Sequence, residues 1–404
     1  MEHLDKKKWE QENVLRLVKK SRKGVLRVVF SRFGLMALLL ILELVLLWMM
    51  WRWFNNDFEW FAAAQGVFTV LMFFHLFNSD MDATGKLTWM FLLAVVPIPA
   101  SIFLWFTEKD VGHRTLKRRV QQRIDESRDL LHQDPEVLRD PEIESSGTDD
   151  LCRYLNRSGS FPLYANTETK FFPQGEDKFA ALLEELQKAE KFIFLEYFII
   201  DEGYMWGSIL KILADKAAQG VDVRVLYDGM LEISTLPWDY PRRLEKLGIR
   251  CKAFAPIQPF LSTHYNYRDH RKICVVDGKV AFTGGVNLAD EYINEVKRFG
   301  YWKDSTVRLT GDGAWGFAVQ FMQMWKMLGR HFPNEDDYYR SRRGGPAVEG
   351  FCQPFEDGPL NNPDNPVEAV YLQLIASAKR MLYITTPYYA VAVSYTHLRA
   401  HETS

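Results

Sequence analysis

Three long apolar runs near the amino terminus constrain the fold of this chain most strongly. They occupy residues 34–51, 60–77 and 87–106, and each approaches the ~20 residues that a helix needs to cross a ~30 Å hydrocarbon layer. Tryptophans stand near their ends, where amphipathic rings favour the headgroup layer. Because the runs lack a polar face, buried helices of a soluble domain are the weaker interpretation. The sequence therefore predicts an all-α transmembrane region over 34–106 in a multi-pass protein.

The segments on either side of this region carry contrasting charge. Residues 1–33 are rich in lysine and arginine, and residues 107–150 begin basic and then turn acidic and proline-containing, as a linker does. The first basic stretch favours a cytoplasmic amino terminus, but three spans would place the second one outside, so the sidedness stays open. Over the whole chain, 50 Lys and Arg face 52 Asp and Glu, and a net charge of −2 excludes a global basic field for nucleic acid.

From residue 151 onward the sequence alternates between helix and strand patterns. A helix with leucines at helical spacing begins near Lys178, a strand follows from Phe192, and a further strand is predicted over 221–229. The segments ILADKAAQG and RRLEKLG are typical of helices that end at a glycine. Strands that alternate with helices predict an α/β layer fold with a buried sheet.

The helix-then-strand unit occurs a second time. A shift of 189 residues aligns Phe192–Leu195 with Met381–Ile384. This spacing indicates a duplicated domain, since solenoid repeats have periods of about 20–50 residues. Chance similarity between two amphipathic units is the alternative that this pattern leaves open. We therefore predict a first repeat at 151–335, a linker at 336–366 and the start of a second, incomplete repeat at 367–389.

A hairpin pattern carries the residues with the strongest chemical potential. We expect a strand over 271–276, a turn at Asp277-Gly278 and a return strand over 279–283. Because side chains alternate along a strand, His270 and Lys272 are predicted to lie on the same side. Asp-Gly is also the commonest sequence of a tight hairpin turn, so a purely structural role for the aspartate stays open.

These residues would suit a phosphodiester. An imidazole at His270 can attack phosphorus, and the Lys272 ammonium can hold the phosphate oxygens on which charge accumulates. Gly284 and Gly285 let backbone amides approach a ligand closely, and Asn287 adds a carboxamide. Each residue alone also has a structural interpretation, and the combined pattern is far more specific than any of its parts.

The full pattern, H-x-K-x4-D-x6-G-G-x-N from His270 to Asn287, resembles the motif of the phospholipase D superfamily. EYFII at 196–200, LYDG at 226–229 and YWKDSTVRLTG at 301–311 resemble its bacterial cardiolipin synthase branch. The resemblance covers nearly all of residues 60–389. It implies a mixed sheet flanked by helices, preceded by the all-α transmembrane region, in a protein of the bacterial cell membrane.

The resemblance also implies an activity and a role for each motif residue. Two phosphatidylglycerols would be joined into cardiolipin with release of glycerol, without a metal or another cofactor, and the partners would be anionic membrane lipids and not nucleic acid. His270 would form a phosphatidyl-histidine, Lys272 and Asn287 would hold phosphate oxygens, and Asp277 would orient the site and balance its charge. Further residues expected at the site on this basis are Gly284 and Gly285 against the phosphate and Asp304 and Glu196 in support.

The family pairs two such motifs, with one histidine attacking and the other protonating the leaving glycerol oxygen. With the offset of 189 residues, the second histidine is expected near position 459, beyond the 404 residues of this sequence. The likeness ends at Tyr389, and SYTHLRAHET resembles translated sequencing-library adapter. We therefore expect residues 390–404 to be a non-native tail and the chain to hold half of an active site.

Other functions stay open at this point. A phospholipase D or a phosphatidylserine synthase would use the same intermediate with water or serine as acceptor. A nuclease with a single motif would dimerise to pair two copies of His270, but the three apolar runs and the second helix-strand unit argue against it. A non-enzymatic membrane scaffold is a further alternative for this chain, but the intact motif argues against it for the parent protein. Four widely spaced cysteines without a C-x-x-C pair indicate neither a zinc knuckle nor a disulfide framework.

Overall fold

The described part of the chain begins, apart from three isolated positions, at residue 58. The computed structural model describes most of 58–105, then 113–231, 235–255, 268–298, 300–329, 345–358 and 366–385. The chain divides into two compact units, one formed mainly by Ser21–Thr115 and one formed mainly by Leu116–Pro256 and Tyr267–Ser404.

Two helices, α1 (Phe58–Phe77) and α2 (Ala83–Val95), make up most of what is described of the smaller unit. Leu76 and Leu93 are buried between them, while many of their other apolar side chains are exposed. None of the described helices combines the length and the hydropathy that a bilayer crossing requires. The predicted spans at 60–77 and 87–106 are thus not confirmed, and the span at 34–51 falls almost wholly outside the described residues.

The described residues of the larger unit form a sheet and the helices that cover it. Its helices are α3 (His113–Ser127), α4 (Pro141–Ser146), α5 (Asp149–Gly159), α6 (Gly175–Gln187), α7 (Tyr204–Ala218), α8 (Tyr240–Glu245), α9 (Gly313–Met327) and α10 (Pro366–Ser377). Its strands are β1 (Thr167–Phe172), β2 (Phe192–Tyr197), β3 (Asp222–Asp228), β4 (Arg250–Phe254), β5 (Lys272–Val276), β6 (Val280–Gly284) and β7 (Thr306–Gly311).

The seven strands form a mixed sheet in the order β1-β7-β6-β5-β2-β3-β4. β2, β3 and β4 are parallel and connected through α7 and α8, whereas every other neighbouring pair is antiparallel. The sequence prediction of an α/β fold with a mixed sheet flanked by helices is confirmed for this unit. The predicted strands at 221–229, 271–276 and 279–283 all form, each within one or two residues of the expected bounds.

Helices cover both faces of the sheet, which explains why the central strand has no polar alternation. All six residues of β2, FIFLEY, are buried. Ile193 and Leu195 join a core beneath α6, α7 and α8, and Phe192 and Phe194 join a second core beneath α9 and α3. Strands buried on both faces are near-continuous apolar runs, so a charged residue within one is unusual.

Strand direction determines which residues meet at the edge of the sheet. β2, β3 and β4 end at the same edge, and β5 and β7 begin there because they run the opposite way. Lys272, the first residue of β5, pairs with Tyr197, the last residue of β2. The residues just before β5 therefore lie beside the segment that follows β2, and we call this the His270 end of the sheet.

The second helix-strand unit forms only in part. The predicted helix is present as α10, but Met381–Ile384 is exposed and makes no strand within the described residues. A strand forms only where a neighbouring strand completes its hydrogen bonds. The seven strands of the described sheet all belong to the first helix-strand region, and none of them pairs with Met381–Ile384. The domain duplication and the non-native tail stay predictions.

Candidate active site

His270 lies two residues before β5 and is exposed at the end of the sheet. Its ring centroid is 4.8 Å from that of Phe198, which directly follows β2. Partial burial and the nearby Lys272 ammonium lower the pKa of His270, while the Asp269 carboxylate acts in the opposite sense. A lowered pKa favours the neutral imidazole at neutral pH, the form in which a ring nitrogen has a lone pair for attack.

Lys272 is buried next to His270. Its Nζ lies 2.5 Å from the backbone carbonyl oxygen of His270 and 5.3 Å from the centroid of the Phe198 ring. Burial lowers the pKa of Lys272 to about 8, and the carboxylates of Asp269 and Asp304 partly offset that effect. The ammonium is thus present at neutral pH, close to the imidazole and incompletely neutralised by the protein.

The two glycines after β6 serve close packing. A Cβ atom at Gly285 would overlap the Asp304 carboxylate, and one at Gly284 would overlap the backbone of Ser305. The amide of Gly285 donates to the Ser305 carbonyl at 3.0 Å. The expectation that the Gly285 amide is free for a phosphate is therefore wrong, because the β6–β7 pairing already uses it.

Asp304 lies under this glycine at the start of β7. Its Oδ1 accepts a hydrogen bond from the Ser305 amide at 2.8 Å. The same carboxylate favours the charged form of Lys272 and of the fully buried Lys178 on α6. Asp304 therefore acts electrostatically on both lysines, and its supporting role in the site stays a prediction.

Asn287 is buried and makes hydrogen bonds within the protein at both ends of its carboxamide. Its Oδ1 accepts from the Ile199 amide at 3.0 Å, and its Nδ2 donates to the Tyr292 hydroxyl at 2.9 Å. These bonds join the segment after β2 to the segment after β6, next to His270. The structure thus places Asn287 at the expected end of the sheet, where it holds two loops together.

Asp277 lies apart from His270, Lys272 and Asn287. It lies at the opposite end of β5 from Lys272, roughly 17 Å away for a strand of five residues. Its carboxylate accepts hydrogen bonds of 2.8 Å from the backbone amides of Glu190, Lys191 and Phe192, where β2 begins. The five-residue strand therefore separates Asp277 from His270, and the described hydrogen bonds of Asp277 favour the structural alternative. The expected role of Asp277 in orienting the site and balancing its charge stays a prediction.

The turn that contains Asp277 agrees with the hairpin prediction. Asp277 and Gly278 have φ values of +53° and +66°, as a type I′ turn requires. Aspartate tolerates this left-handed conformation better than most residues. Asp277 therefore links the β5–β6 turn to the start of β2 and helps to set the register of the central strands.

Glu196 lies on the opposite face of the sheet from Lys272, in an ionic cluster that the sequence reasoning largely missed. Arg271 Nη2 lies 2.5 Å from Glu196, its Nε lies 3.2 Å from Asp269, and its Nη1 contacts Glu356. Burial raises the pKa of Glu196 well above its usual range, although the Arg271 guanidinium opposes this. The cluster lies where β5 begins, and through Asp269 it also acts on the charges of His270 and Lys272.

The sequence around Arg271 indicates part of this ionic cluster. Strand alternation places Arg271 on the face opposite His270, and a charged residue entering a fully buried sheet requires a partner. Glu356 follows 85 residues later and belongs to no motif, so sequence reasoning offered no means of pairing it with Arg271.

A second buried lysine, Lys178, lies against Tyr197, the residue of β2 that pairs with Lys272. Lys178 Nζ is 3.3 Å from the Tyr197 hydroxyl and 5.0 Å from the centroid of its ring. Burial lowers the pKa of Lys178 to about 8. In the sequence, Lys178 only marks the start of a helix, because the leucines that follow it are typical of an ordinary amphipathic helix.

A cleft of about 390 Å³ opens beside His270. Its apolar lining includes Phe254, Met324 and Met327, and Arg268 and Glu356 contribute charged groups. A cleft of this size is large enough to hold part of a small or extended ligand. The cleft places polar and apolar contacts within reach of the imidazole.

The chain is similar in sequence to known bacterial proteins. Residues 182–298 match a family model described as "Cardiolipin synthase, PLD-like domain". An uncharacterized protein of Streptococcus mutans is 46% identical over 314 residues, covering 78% of this chain and 68% of that protein. A cardiolipin synthase of Geobacillus kaustophilus is 30% identical over 347 residues, covering 83% of this chain and 68% of that enzyme. This chain thus spans about two thirds of their length.

Among solved structures, a phosphatidylserine synthase of Haemophilus influenzae aligns with a TM-score of 0.44 at 15% identity. The alignment covers 63% of each chain.

Proposed function

The chain belongs to the cardiolipin synthase family, and from this membership and the site geometry we propose that it transfers a phosphatidyl group from one phosphatidylglycerol to another, forming cardiolipin and glycerol. The observation that carries the proposal is the pairing of His270 and Lys272. An exposed imidazole with a lowered pKa and a buried ammonium both lie against the Phe198 ring at the end of the sheet.

The proposed reaction has two displacement steps. A ring nitrogen of His270 attacks phosphorus, a P–N bond forms, and the bond from phosphorus to the headgroup glycerol oxygen breaks. The leaving oxygen takes a proton, which in this family the histidine of the second motif supplies. A hydroxyl of a second phosphatidylglycerol then attacks phosphorus, loses its proton to the same group, and displaces His270.

The other site residues support this chemistry in different ways. The Lys272 ammonium would lie against the phosphate oxygens, where a positioned cation stabilises the charge that develops at phosphorus. Asp304 would keep that ammonium charged. We propose that Asn287, Gly284 and Gly285 shape the loops around the phosphate, since their described hydrogen bonds and contacts are made within the protein.

We further propose that the protein is attached to the bacterial membrane through residues 34–106. Three apolar runs in that region and a lipid substrate support this localisation. The exposed apolar side chains of α1, which include Trp60, Phe74 and Phe77, are consistent with it.

The test is incubation of the chain with phosphatidylglycerol that carries radiolabelled phosphate, in mixed micelles. The expected results are an acid-labile phosphatidyl adduct on His270, found by mass spectrometry, and cardiolipin with free glycerol once the second motif is supplied. His270→Ala should abolish the adduct, and the exposed control His132→Ala should leave it unchanged.

Other products would overturn parts of the proposal. An adduct that persists in His270→Ala would place the nucleophile elsewhere. Phosphatidic acid as the sole product would indicate a phospholipase D, phosphatidylserine formed in the presence of serine would indicate a phosphatidylserine synthase, and degraded DNA would indicate a nuclease.

A further inference from the structure

Large apolar side chains exposed in the sheet-bearing part of the larger unit are few and unevenly placed. Within the described residues of 113–329 they are Phe171, Trp238, Val296 and Tyr301, exposed by 62%, 71%, 51% and 59%. Single exposed apolar residues are ordinary, but a common location is informative. We call these four residues the apolar rim.

All four residues lie at the His270 end of the sheet. Phe171 is the penultimate residue of β1, whose last residue pairs with the first residue of β7. Val296 and Tyr301 lie in the connection from β6 to β7, and the Tyr301 hydroxyl is 3.3 Å from Glu176 at the start of α6.

Trp238 reaches the same end from the other side of the sheet. It follows β3 and precedes α8, in a loop whose Thr235 hydroxyl donates to the carbonyl of Ile200, just beyond β2. β1 and β3 lie on opposite sides of β5 in the sheet. At about 4.8 Å per strand, the rim spans roughly 24 Å around the strand that carries His270.

An exposed cation accompanies each rim residue. Arg242 lies over the Trp238 ring with 5.9 Å from its guanidinium carbon to the ring centroid. The other exposed cations within two residues of a rim residue in the sequence are Lys170, Lys297, Arg298 and Lys303. Glu295 is an exposed acid beside Val296. Aromatic side chains interleaved with lysine and arginine are the typical composition of a surface that lies in the headgroup layer.

From this placement we infer that the apolar rim and its cations enter the headgroup layer of an anionic bilayer and hold the His270 end of the sheet against it. The inference relies on the proposed function for the identity of the lipid. A flat bilayer contacts side chains spread over this distance at once, and the central position of β5 brings His270 to the lipid phosphates. Each cation near an anionic surface strengthens binding by about fivefold.

The test measures the depth of single spin labels on the full chain reconstituted in phosphatidylglycerol-containing bilayers. Labels are placed at Trp238→Cys and Tyr301→Cys, in a background with Cys152→Ala and Cys352→Ala. The matched control is Lys279→Cys, which is exposed at the opposite end of the sheet. Collision rates with oxygen, which concentrates in lipid, and with a water-soluble nickel chelate report the environment of each label.

The expected result is a severalfold rise in the oxygen-to-nickel ratio at 238 and 301 on transfer from detergent to bilayers, with no change at 279. The rise should shrink in phosphatidylcholine bilayers and in the variant Arg242→Gln/Lys297→Gln/Lys303→Gln. Labels at 238 and 301 that stay as accessible to nickel as the label at 279 would overturn the inference. Loss of access to both reagents in detergent would instead indicate a protein partner and would also overturn it.

The measurement is independent of catalysis. The labels should report the same depths in a His270→Gln background, in which the proposed reaction is abolished. If the labels show the expected depths but the unmutated protein has no phosphatidyltransferase activity, the membrane contact of the apolar rim is supported and the proposed function is refuted. If the protein is active but the labels stay in water, only the membrane contact of the apolar rim is refuted.

Discussion

The Nζ of Lys272 lies 2.5 Å from the backbone carbonyl of His270, so the cation of the motif is held by the residue beside which it is proposed to act. Both side chains also lie near the Phe198 ring, which directly follows β2. Burial of the ammonium lowers its pKa to about 8, close enough to neutrality for its charge to be lost under mildly alkaline conditions.

We expect adduct formation to depend on pH in two limbs. As pH rises, the rate should first increase as His270 loses its proton, with a midpoint below the ordinary histidine value of 6.5 because its pKa is lowered. It should then fall near pH 8 as Lys272 becomes neutral. Stopped-flow or quench measurements of the adduct from pH 5 to pH 10 test both limbs.

Two variants assign the alkaline limb. Lys272→Arg should remove it, because a guanidinium stays charged throughout this range, even if the overall rate is lower. Lys178→Met should leave it in place, although the pKa of Lys178 is also lowered to about 8. A limb that persists in Lys272→Arg and disappears in Lys178→Met would contradict the assignment to Lys272.

Asp277→Asn is expected to lower stability without removing the chemistry. Asparagine tolerates the positive φ of this position, but its amide group cannot accept the hydrogen bond that Asp277 Oδ2 accepts from the Glu190 amide. Loss of this hydrogen bond and of the negative charge should cost about 2 kcal/mol in the free energy of unfolding measured with urea. Adduct formation per folded molecule should persist.

The exposed Asp215→Asn on α7 is the matched control, and its stability should be unchanged within about 0.5 kcal/mol. Loss of the adduct in a stable Asp277→Asn protein would show that the aspartate acts in the site from the far end of the strand. That result would contradict its structural assignment.

Arg271→Gln should destabilise the larger unit by about 3–5 kcal/mol, because it leaves the buried carboxylates of Glu196, Asp269 and Glu356 without their cation. Burial raises the pKa of Glu196, and the variant removes the guanidinium that opposes this, so the folded-state pKa of Glu196 lies above its unfolded value. Stability is then greatest when Glu196 is protonated, and it decreases as pH rises through that range. The loss should therefore be smallest near pH ~4.5 and largest above pH ~7.

Thermal or urea unfolding of Arg271→Gln over this pH range provides the measurement. Arg128→Gln, at a guanidinium that is 60% exposed in an ion pair with Asp125, is the control and should change little. An Arg271→Gln protein that unfolds with the same pH dependence as the parent would show that the cluster does not carry the expected charge imbalance.

Local reasoning succeeded where a single element determines the outcome. The residue pattern correctly predicted the two strands of the hairpin, and the Asp-Gly pair correctly predicted the turn between them. The helix and strand patterns from residue 178 to residue 283 correspond to elements of the observed α/β unit. These features depend on periodicity and turn chemistry over a few residues.

Residues of one motif do not all lie together in the fold. His270 and Asp277 share one motif, yet the strand between them carries them to opposite ends of the sheet. Gly285 was expected to offer its amide to a ligand, but its small size instead accommodates the Asp304 carboxylate. Motif membership does not state which neighbour from another strand a residue will meet.

The amino-acid sequence by itself determined the α/β pattern, the hairpin and the chemical identity of the motif, because each depends on residues close along the chain. Tertiary structure alone decided that Glu356 meets Arg271, that Asp277 receives the amides that begin β2, and that the rim residues surround His270. Those outcomes depend on strand order and direction in the sheet, which bring together residues separated by up to about a hundred positions and leave no periodic trace in the sequence.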